Sequence, residues 1–404
     1  MARVNATGWI LALASAFLVT GCADSGEEQG DVDSAARPEG QREFVTLLGE
    51  DTIAVESYVR TADRIDGIYL SRNPVTVVGR YAAELTTEGT IGRLAIDWST
   101  PPTNPDGMEP WSSVITVEGT TVTVVNEGGR ADGTNEMEVD AGATPTLGQF
   151  PLAMFVVEQA TMKARAAGGD EFAISLISST RPQPTMNAIE AATGDTVSYN
   201  FFGSPMYAAV DDDGVLRGAT GYATTMSAVV IPSEHLDVPG LAADFAARDA
   251  NGTGLGVPSP GATAVATIGG AHIEVAYSRP AKRGRDIWGG LVAYDEVWRT
   301  GANSATVLTT DTDLILSDLR LPAGSYSLWT TFTASSQVLI VNRQTGQWGT
   351  EYDESQDLGR MQLAIDELGE VTERFTISFE ETDRGGVMHL EWGLTRFSVP
   401  IQVR

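Results

Sequence analysis

Short runs of alternating apolar and polar residues, each ended by a turn, recur along most of this chain. In residues 44–247 such runs include Phe44–Leu48, Thr52–Arg60, Val75–Leu85 and Ile91–Trp98. Because successive side chains of a strand point to opposite faces of a sheet, this alternation is typical of half-buried β-strands. Turns such as Glu118-Gly119 separate the runs and predict an antiparallel meander. We therefore expect a mainly β fold.

One segment of this region has the pattern of a helix. Residues 147–167 carry apolar side chains that include Met154, Phe155 and Val157, and Pro151 lies where the first turn of a helix tolerates proline. The spacing predicts one buried helix within the antiparallel sheet. A sheet curved around a helix is an architecture found in lipid carriers, an analogy that by itself gives no function. The alternative, which we favour, is that the helix fills the sheet as core.

The second half of the chain is separated by a change in composition. Glycine, proline and serine dominate residues 248–261 and predict a linker. Residues 262–404 return to short strands, and Gly269-Gly270 has the composition of a two-residue hairpin turn, which needs positive φ. Many short strands with little helix predict a β-sandwich. Because the chain exceeds the size of one comfortable core, we expect two domains, 44–247 and 262–404.

The N-terminus has the order of an export signal. Arg3 supplies a positive charge, an apolar run from Trp9 to Val19 follows, and small residues lead to Cys22. The run is shorter than the ~20 residues that a membrane-spanning helix needs. Residues 1–21 resemble a bacterial lipoprotein signal peptide, which implies that Cys22 is the lipidated first residue of the mature protein. The alternative is an ordinary secretory signal with an incidental cysteine.

The segment after Cys22 predicts a tether and a location. Residues 22–43 contain almost no apolar side chain, so they cannot offset their own ordering entropy, and we expect a disordered acidic tether. Ala23, rather than aspartate, follows the cysteine, which resembles the pattern of passage to the outer membrane in Gram-negative bacteria. We expect a cell-envelope protein whose membrane partner is reached through the lipid anchor, on the periplasmic or the surface face.

Charge and cysteine content exclude several kinds of protein. The net charge of −28 argues against nucleic acid, whose binding needs basic patches. Cys22 is the sole cysteine, which excludes disulfides, a cysteine nucleophile in the folded part and a thiolate metal site. Signatures of serine hydrolases, zinc proteases, phosphate-binding loops and dinucleotide-binding folds are absent. We therefore expect no cofactor.

Metal or base chemistry would depend on the three histidines, His235, His272 and His389. His272 and Glu274 are two residues apart on one strand and project from the same face. Together with His389 they could hold a metal, or form a base with its orienting group, but a polar outer face is the simpler interpretation. Asp211 opens an acidic turn like that of a calcium loop, although Tyr222 stands where such a loop ends in glutamate. We predict no metal site.

The densest set of ligand-binding residue types lies between Tyr277 and Thr306. Guanidinium groups bind carboxylate or phosphate, and aromatic faces stack on rings, so the mixture suits an anionic or sugar-like ligand. The candidate binding residues are Tyr277, Arg279, Arg285, Trp288, Trp298, Arg299 and Asn303. Two further basic residues, Lys282 and Arg283, lie in the same stretch. The alternative is structural: the tryptophans form core and the arginines pair with Asp286, Asp295 and Glu296.

The same stretch carries a family resemblance. Tyr277–Pro280, Trp288–Val292, Val297–Asn303 and Leu321–Leu328 resemble the motifs of DUF2911, a bacterial family of unknown function. The resemblance extends over residues 262–404 and includes Asn342, Trp348-Gly349 and Glu391-Trp392. It implies a shared fold and a shared site, but no reaction. Gly393 departs from the family, which often has a charged or amide residue after this tryptophan.

Three hypotheses for function remain open. The leading one is a non-enzymatic module at the cell envelope that binds an anionic or sugar-like ligand, because the cluster lacks a nucleophile, a base and a metal set. The second is a hydrolase of an envelope polymer, which would use Asp295, Glu296 or Asp353 in pairs separated by ~5–9 Å. The third is a structural or lipid-carrying protein that acts through the first domain.

Overall fold

The computed structural model describes residues 38–101, 109–129, 132–139, 142–148, 152–167, 171–179, 185–190, 195–201, 204–221, 225, 227–333 and 336–404. The predicted signal peptide, Cys22 and most of the tether lie outside these residues. The tether was predicted to reach residue 43, but the first strand already begins at Gln41. The polar residues there pair within the sheet, since Oε1 of Glu43 accepts hydrogen bonds from Gln41 and Ser57. Among the described residues, no helix is long and apolar enough to cross a membrane.

Residues 41–232 form one large sheet. Its fifteen strands are β1 Gln41–Leu48, β2 Asp51–Arg60, β3 Arg64–Ser71, β4 Val77–Leu85, β5 Ile91–Ser99, β6 Trp111–Glu118, β7 Thr121–Glu127, β8 Gly133–Glu138, β9 Thr144–Thr146, β10 Glu171–Ser178, β11 Thr185–Glu190, β12 Thr196–Phe201, β13 Ser204–Val210, β14 Leu216–Gly221 and β15 Ala228–Pro232, as far as the described residues show. From β1 the sheet extends through β2 to β8 on one side, and through β15 back to β9 on the other. Pairs along the sheet are antiparallel apart from β9 with β10. The predicted antiparallel meander is confirmed.

The predicted helix is present as α1, Met154–Ala167, and packs on the buried face of this sheet. It begins later than the predicted residue 147, and Pro151 lies outside the described residues. Its first turn is capped by Glu56 of β2, whose carboxylate accepts the backbone N–H groups of Met154 and Phe155. The Phe155 ring stacks on Tyr81 with centroids 4.5 Å apart, and Phe155, Val156 and Val157 are fully buried. The helix is therefore core, as the simpler interpretation had it.

A second helix, α2 Val238–Ala250, was not predicted. Pro239 and Gly240 near its start read as helix breakers, but Pro is tolerated in a first turn, and Asp237 caps the helix by accepting the N–H of Gly240. The helix is anchored to the large sheet by Asp249, whose carboxylate accepts from both the N–H and the hydroxyl of Thr76. The predicted linker 248–261 is therefore too long, since its first three residues belong to the helix.

Residues 261–403 form two further sheets. Their strands are β16 Gly261–Ile268, β17 Ala271–Ser278, β18 Val297–Trp298, β19 Thr306–Thr310, β20 Leu314–Leu316, β21 Leu319–Leu321, β22 Gly324–Phe332, β23 Gln337–Asn342, β24 Asp357–Gln362, β25 Ala364–Thr382 and β26 Gly385–Val403, with a 3₁₀ helix at Glu354–Gln356. One sheet has the order β16-β17-β19-β22-β23-β24 with β18 beside β22, and the other has the order β21-β20-β26-β25.

The two smaller sheets enclose one hydrophobic core. The inward residues of β17, Ile273 and Val275, belong to the same cluster as Leu390 and Val399 of β26. The β16–β17 turn, Gly269-Gly270, has φ values of 55° and 90°, the positive values that glycine adopts most readily. The predicted sandwich is confirmed, whereas its status as a separate domain stays a prediction.

Candidate functional site

The two candidate tryptophans lie in the sandwich core. Trp298 is 8 % exposed and stacks on Trp392 with centroids 5.9 Å apart. Trp288 packs against Phe332 at 4.6 Å, and its indole N–H donates to the Thr395 hydroxyl. Both rings thus pack on other rings of the core, Trp288 remaining partly buried, and such aromatic packing holds the two sheets together. That these tryptophans also contact a ligand stays a prediction.

Tyr277 joins the two sheets from within. Its side chain is buried, and its hydroxyl accepts the backbone N–H of Ile377 at 3.0 Å. The ring meets Phe375 edge to face at 5.9 Å. Tyr277 thus connects β17 to β25 and belongs to the scaffold.

Other motif residues fasten the segment that precedes β16. The backbone N–H of Arg279 donates to the carbonyl of Pro260, and the Asn303 side-chain amide donates to that of Ser259. The Arg374 guanidinium donates to the carbonyl of Pro258. The carbonyls of Pro258, Ser259 and Pro260 are thus each bound by one donor group of the sandwich. Asn303 itself has a φ of 61°, a conformation that asparagine tolerates better than most residues.

Arg279 and Arg299 bind backbone and hydroxyl oxygens. Arg279 donates to the Phe375 carbonyl and to the Thr376 hydroxyl, whereas Arg299 donates to the Asn303 carbonyl at 3.0 Å. Burial lowers the pKa of Arg299. In the described part of the chain neither guanidinium forms an ion pair, so the predicted pairing of arginines with Asp286, Asp295 and Glu296 is not the arrangement found.

The position of Arg299 explains a nearby glycine. A Cβ atom at Gly349 would lie 2.2 Å from Cδ of Arg299 and 2.5 Å from the Asn303 carbonyl oxygen. The motif residues Arg299 and Asn303 therefore pack directly against residue 349.

Arg285 differs from the other candidates because it borders an open groove. Its guanidinium donates to the carbonyls of Lys282, Ala281 and Thr225. Burial, and then the charge of Arg283, lower its pKa to about 10. The groove has a volume of about 360 Å³ and is lined by Ser227, Arg285, Asp286, Gly289, Gly290, Leu291 and Ala293.

The loop that forms the groove is held by its own backbone. Leu291 and Val292 donate their N–H groups to the carbonyls of Asp286 and Ile287, and Gly289 donates to Val292. A Cβ atom at Gly290 would lie 2.3 Å from the Asp286 carbonyl oxygen, so the tight turn requires glycine there. The groove is therefore bordered by a loop of fixed shape.

An exposed aromatic ring lies beside the groove. Tyr294 is 45 % exposed, and its ring rests on Gly289, where a Cβ atom would come within 2.6 Å of Cε2. Tyr294 was not among the residues predicted to bind a ligand, although it lies in the same stretch of the sequence. The signal that distinguishes it is the Gly289-Gly290 pair, which leaves backbone uncovered for a ring to rest on.

Arg283 connects the groove region to the large sheet. Its guanidinium forms an ion pair with Asp51, and its carbonyl accepts the N–H of Glu50 at 3.1 Å. A Cβ atom at Gly49 would lie 2.0 Å from that carbonyl oxygen. The β1–β2 turn therefore contacts the loop that begins the family motif, an arrangement that no local pattern predicts.

The histidines do not converge. His272 and Glu274 point outward on β17, whereas the His389 ring contacts the Ser398 hydroxyl at 2.9 Å and Glu380 at 3.3 Å. His389 and Ser398 both belong to β26, and Gly393, which has a φ of 62°, lies between them in sequence. In the described part of the chain no group of three or more His, Cys, Asp or Glu side chains is suited to a metal.

The remaining acidic candidates have local structural roles or lie exposed. Asp211 closes its turn by accepting the N–H of Val215 and forms an ion pair with Arg217. Asp353 accepts two hydrogen bonds from Ser355, which lower its pKa. Asp295 and Glu296 are exposed. An Asp353 carboxylate kept ionised in this way is unsuited to act as a general acid.

A family model matches part of this chain. The family is DUF2911, proteins of unknown function, and the match covers residues 259–401, which supports the resemblance of the C-terminal sandwich. The comparison with curated proteins gave no match.

Two solved structures are similar over part of the chain. One is a DUF1089 family protein from Pseudomonas aeruginosa, with 12 % identity and a TM-score of 0.30, over 41 % of this chain and 89 % of that one. The other is a β-barrel-like protein of the unknown-function family DUF1849 from Brucella abortus. It has 10 % identity and a TM-score of 0.32, over 48 % of this chain and 94 % of that one.

Proposed function

We propose that this protein is a non-enzymatic binding module that takes a sugar-like ligand in the groove beside Arg285. The observation that carries the proposal is the exposed Tyr294 ring next to a groove lined by Arg285, Asp286 and glycine backbone. A small set of polar groups around a partly apolar hollow is the usual make-up of a small-molecule site. The groove volume of about 360 Å³ lies at the lower end of the ~300–1,000 Å³ typical of such sites.

The aromatic ring supplies the apolar contact. A sugar ring has an apolar face formed by its C–H groups, and a tyrosine stacked on that face removes both surfaces from water. Tyr294 is held in place by Gly289 beneath it, so little side-chain entropy is lost when a ligand binds.

The polar groups supply orientation. The Arg285 guanidinium has five N–H donors, and three are used by backbone carbonyls, which leaves two for a ligand. The Asp286 side chain is exposed and offers acceptors for hydroxyl groups. A donor and an acceptor side by side suit the vicinal hydroxyls of a sugar, and the free guanidinium N–H groups also suit a sugar carboxylate.

We place this module at the cell envelope. The N-terminal resemblance to a lipoprotein signal supports an anchor at Cys22, and the acidic segment 22–40 supports a flexible connection of the folded residues to the membrane. Passage to the outer membrane follows from the same resemblance, through Ala23. Envelope glycans would then be the nearest source of ligand.

The proposal is tested by isothermal titration calorimetry of the full chain with two disaccharides. One is the neutral N-acetylglucosamine disaccharide, and the other is the N-acetylglucosamine–N-acetylmuramic acid disaccharide, which carries a carboxylate. We expect Tyr294→Ala and Asp286→Ala each to weaken binding about tenfold, equivalent to ~1.4 kcal/mol. Loss of a stacked ring and of a charged hydrogen-bond acceptor are both of this size.

The matched control is Tyr207→Ala, which removes a tyrosine of 36 % exposure from β13 of the large sheet. We expect this variant to bind like the unmodified protein. Absence of binding to both disaccharides, or equal loss in all three variants, would contradict the proposal. A preference for the acidic disaccharide would assign Arg285 to its carboxylate.

A further inference from the structure

The groove is lined from two parts of the molecule. Ser227 belongs to the connection between β14 and β15 of the large sheet, whereas Arg285 and the other lining residues belong to the sandwich. The two parts also meet through a hydrogen bond, because Nη1 of Arg285 donates to the carbonyl of Thr225, two residues before Ser227. A ligand that fills the groove therefore contacts both parts.

Ser227 lies beside the β1–β2 turn, which contacts Arg283. In the register of β1 with β15, Leu48 pairs with Ala228, so Ser227 and Gly49 lie just beyond the same residue pair at one end of the sheet. Leu48 and Ala228 are buried in one hydrophobic cluster, which fixes the turn and this wall of the groove relative to each other. A movement of the turn would therefore be shared by the wall.

On the sandwich side, Arg285 follows a tight turn that is held by neighbouring elements. Arg283 and Gly284 both have positive φ, 50° and 73°, a conformation that an arginine adopts only at a cost in free energy. The Glu373 side chain of β25 accepts the backbone N–H of Arg283 at 2.8 Å. From the other side, the N–H of Glu50 donates to the Arg283 carbonyl at 3.1 Å. The position of Arg285 thus depends on the β1–β2 turn of the large sheet.

We propose that the ligand joins the large sheet to the sandwich, so that ligand binding and the contact between the β1–β2 turn and Arg283 strengthen each other. The inference rests on the sugar-binding function proposed for the groove. A ligand that touches Ser227 on one side, and Arg285 and Asp286 on the other, restrains the same two parts that this contact joins. Such coupling is reciprocal: the factor by which the contact raises ligand affinity equals the factor by which the ligand stabilises the contact.

Gly49→Ala tests the coupling from the side of the protein. A Cβ atom at this position would overlap the Arg283 carbonyl oxygen, so we expect the substitution to separate the β1–β2 turn from Arg283. The measurement is calorimetric titration of the full chain with the neutral N-acetylglucosamine disaccharide and with the N-acetylglucosamine–N-acetylmuramic acid disaccharide. We expect binding to weaken at least about fivefold, the lower end of the ~5–150-fold effects typical of coupled sites.

The matched control is Gly119→Ala in the β6–β7 turn. Gly49 and Gly119 have φ values of 66° and 65°, so alanine costs the same backbone strain at both positions, but a Cβ atom at Gly119 would meet no atom within 4 Å. We expect the Gly119 variant to lose thermal stability and yet to bind both disaccharides like the unmodified protein. Equal affinities of the two variants would overturn the inference and leave the sugar-binding function intact.

Hydrogen exchange at single-amide resolution tests the coupling without any substitution. We expect saturation with either disaccharide to slow exchange of the Glu50 N–H at least about fivefold, because opening of its bond to the sandwich separates the two parts that the ligand joins. The control amide is that of Gly89, which donates at 2.9 Å to Thr86 within the β4–β5 turn and should exchange at the same rate with and without ligand.

The exchange measurement also separates the two proposals. Unchanged exchange at Glu50 in a protein that binds a disaccharide would overturn the coupling alone, even where Gly49→Ala fails to fold. Absence of binding by the unmodified protein would overturn the sugar-binding function and the coupling together.

Discussion

Glu56 links the interior of the large sheet to the first turn of α1. Its carboxylate accepts from the Tyr81 hydroxyl and from two backbone N–H groups at the helix start. Those N–H groups have no partner within the helix, and the helix dipole favours negative charge there. Burial nevertheless dominates and raises the pKa of Glu56 from its ordinary value of 4.5 to about 7, with Glu158 adding to the rise.

This shift predicts a pH-dependent stability. Because the folded state holds the Glu56 proton more tightly than the unfolded state does, stability is fully present below about pH 4.5 and is lost as the pH rises through about 7. The full loss corresponds to about 3 kcal/mol. Glu56→Gln keeps a hydrogen-bonding side chain without a titratable group. We therefore expect the free energy of urea unfolding of this variant, relative to the unmodified protein, to gain about 3 kcal/mol between pH 4.5 and pH 8.

The control for Glu56 is Glu84→Gln, at a half-exposed position of β4 in the same sheet. Its unfolding free energy is expected to follow the unmodified protein across the same pH range. A Glu56→Gln curve parallel to that of the unmodified protein would show that burial does not perturb this carboxylate.

For single residues, the sequence showed where ligand-binding residue types are concentrated, but not which atoms their side chains contact. The arginines between residues 279 and 299 were expected to gather around a ligand, and most of them bind backbone carbonyls. A guanidinium fork matches a carbonyl pair as well as it matches a carboxylate, so residue type alone does not separate the two. Whether Trp298 faces solvent or core depends on which sheet covers it, which is decided by contacts distant in sequence.

The elements of the fold followed the periodicity of the sequence closely. Strand β10 has the predicted bounds Glu171–Ser178, because alternation and flanking turns are local signals. Helix α2 was not predicted because its first turn contains proline and glycine. Its buried side, with Phe245 and Ala246, is short and small, so its periodicity is weak. The cap at Asp237 was the signal that could have revealed it.

The docking of α2 depends on Asp249. Its carboxylate receives two hydrogen bonds from Thr76, at 2.8 Å from the N–H and 2.6 Å from the hydroxyl. We expect Asp249→Ala to lower the free energy of urea unfolding by about 1–3 kcal/mol, since both Thr76 donors lose a charged acceptor and Thr76 is fully buried.

Asp244→Ala on the same helix is the matched control for Asp249. Asp244 pairs with Arg248 at an exposed i, i+4 position, and such pairs contribute only ~0.3–0.5 kcal/mol. If the two variants destabilise the protein equally, the Thr76 contact does not anchor the helix.

On the scale of the whole molecule, the sheets meet through the family motif. Arg283 pairs with Asp51, and Arg285 donates to the Thr225 carbonyl in the connection between β14 and β15. The groove therefore has residues of the large sheet's connections on one side and the 285–293 loop on the other. Sequence patterns within either half carry no information about this contact, because it is formed between segments about 60 to 230 residues apart.

The proposed lipid anchor at Cys22 determines the location at which the protein would bind its ligand. Each buried acyl CH₂ contributes ~0.8 kcal/mol to membrane association, so a cysteine with several acyl chains holds the protein firmly at the membrane. The net charge of −28 gives the protein no electrostatic attraction to anionic lipid. We expect the protein expressed in a Gram-negative host to enter the detergent phase on Triton X-114 partition, and Cys22→Ser to move it to the aqueous phase. Ser25→Ala, three residues further along the same segment, controls for changes near the processing site and should remain in the detergent phase. If the unmodified protein enters the aqueous phase, or if Cys22→Ser leaves the partition unchanged, the cysteine carries no lipid, and an ordinary secretory signal explains the N-terminus better.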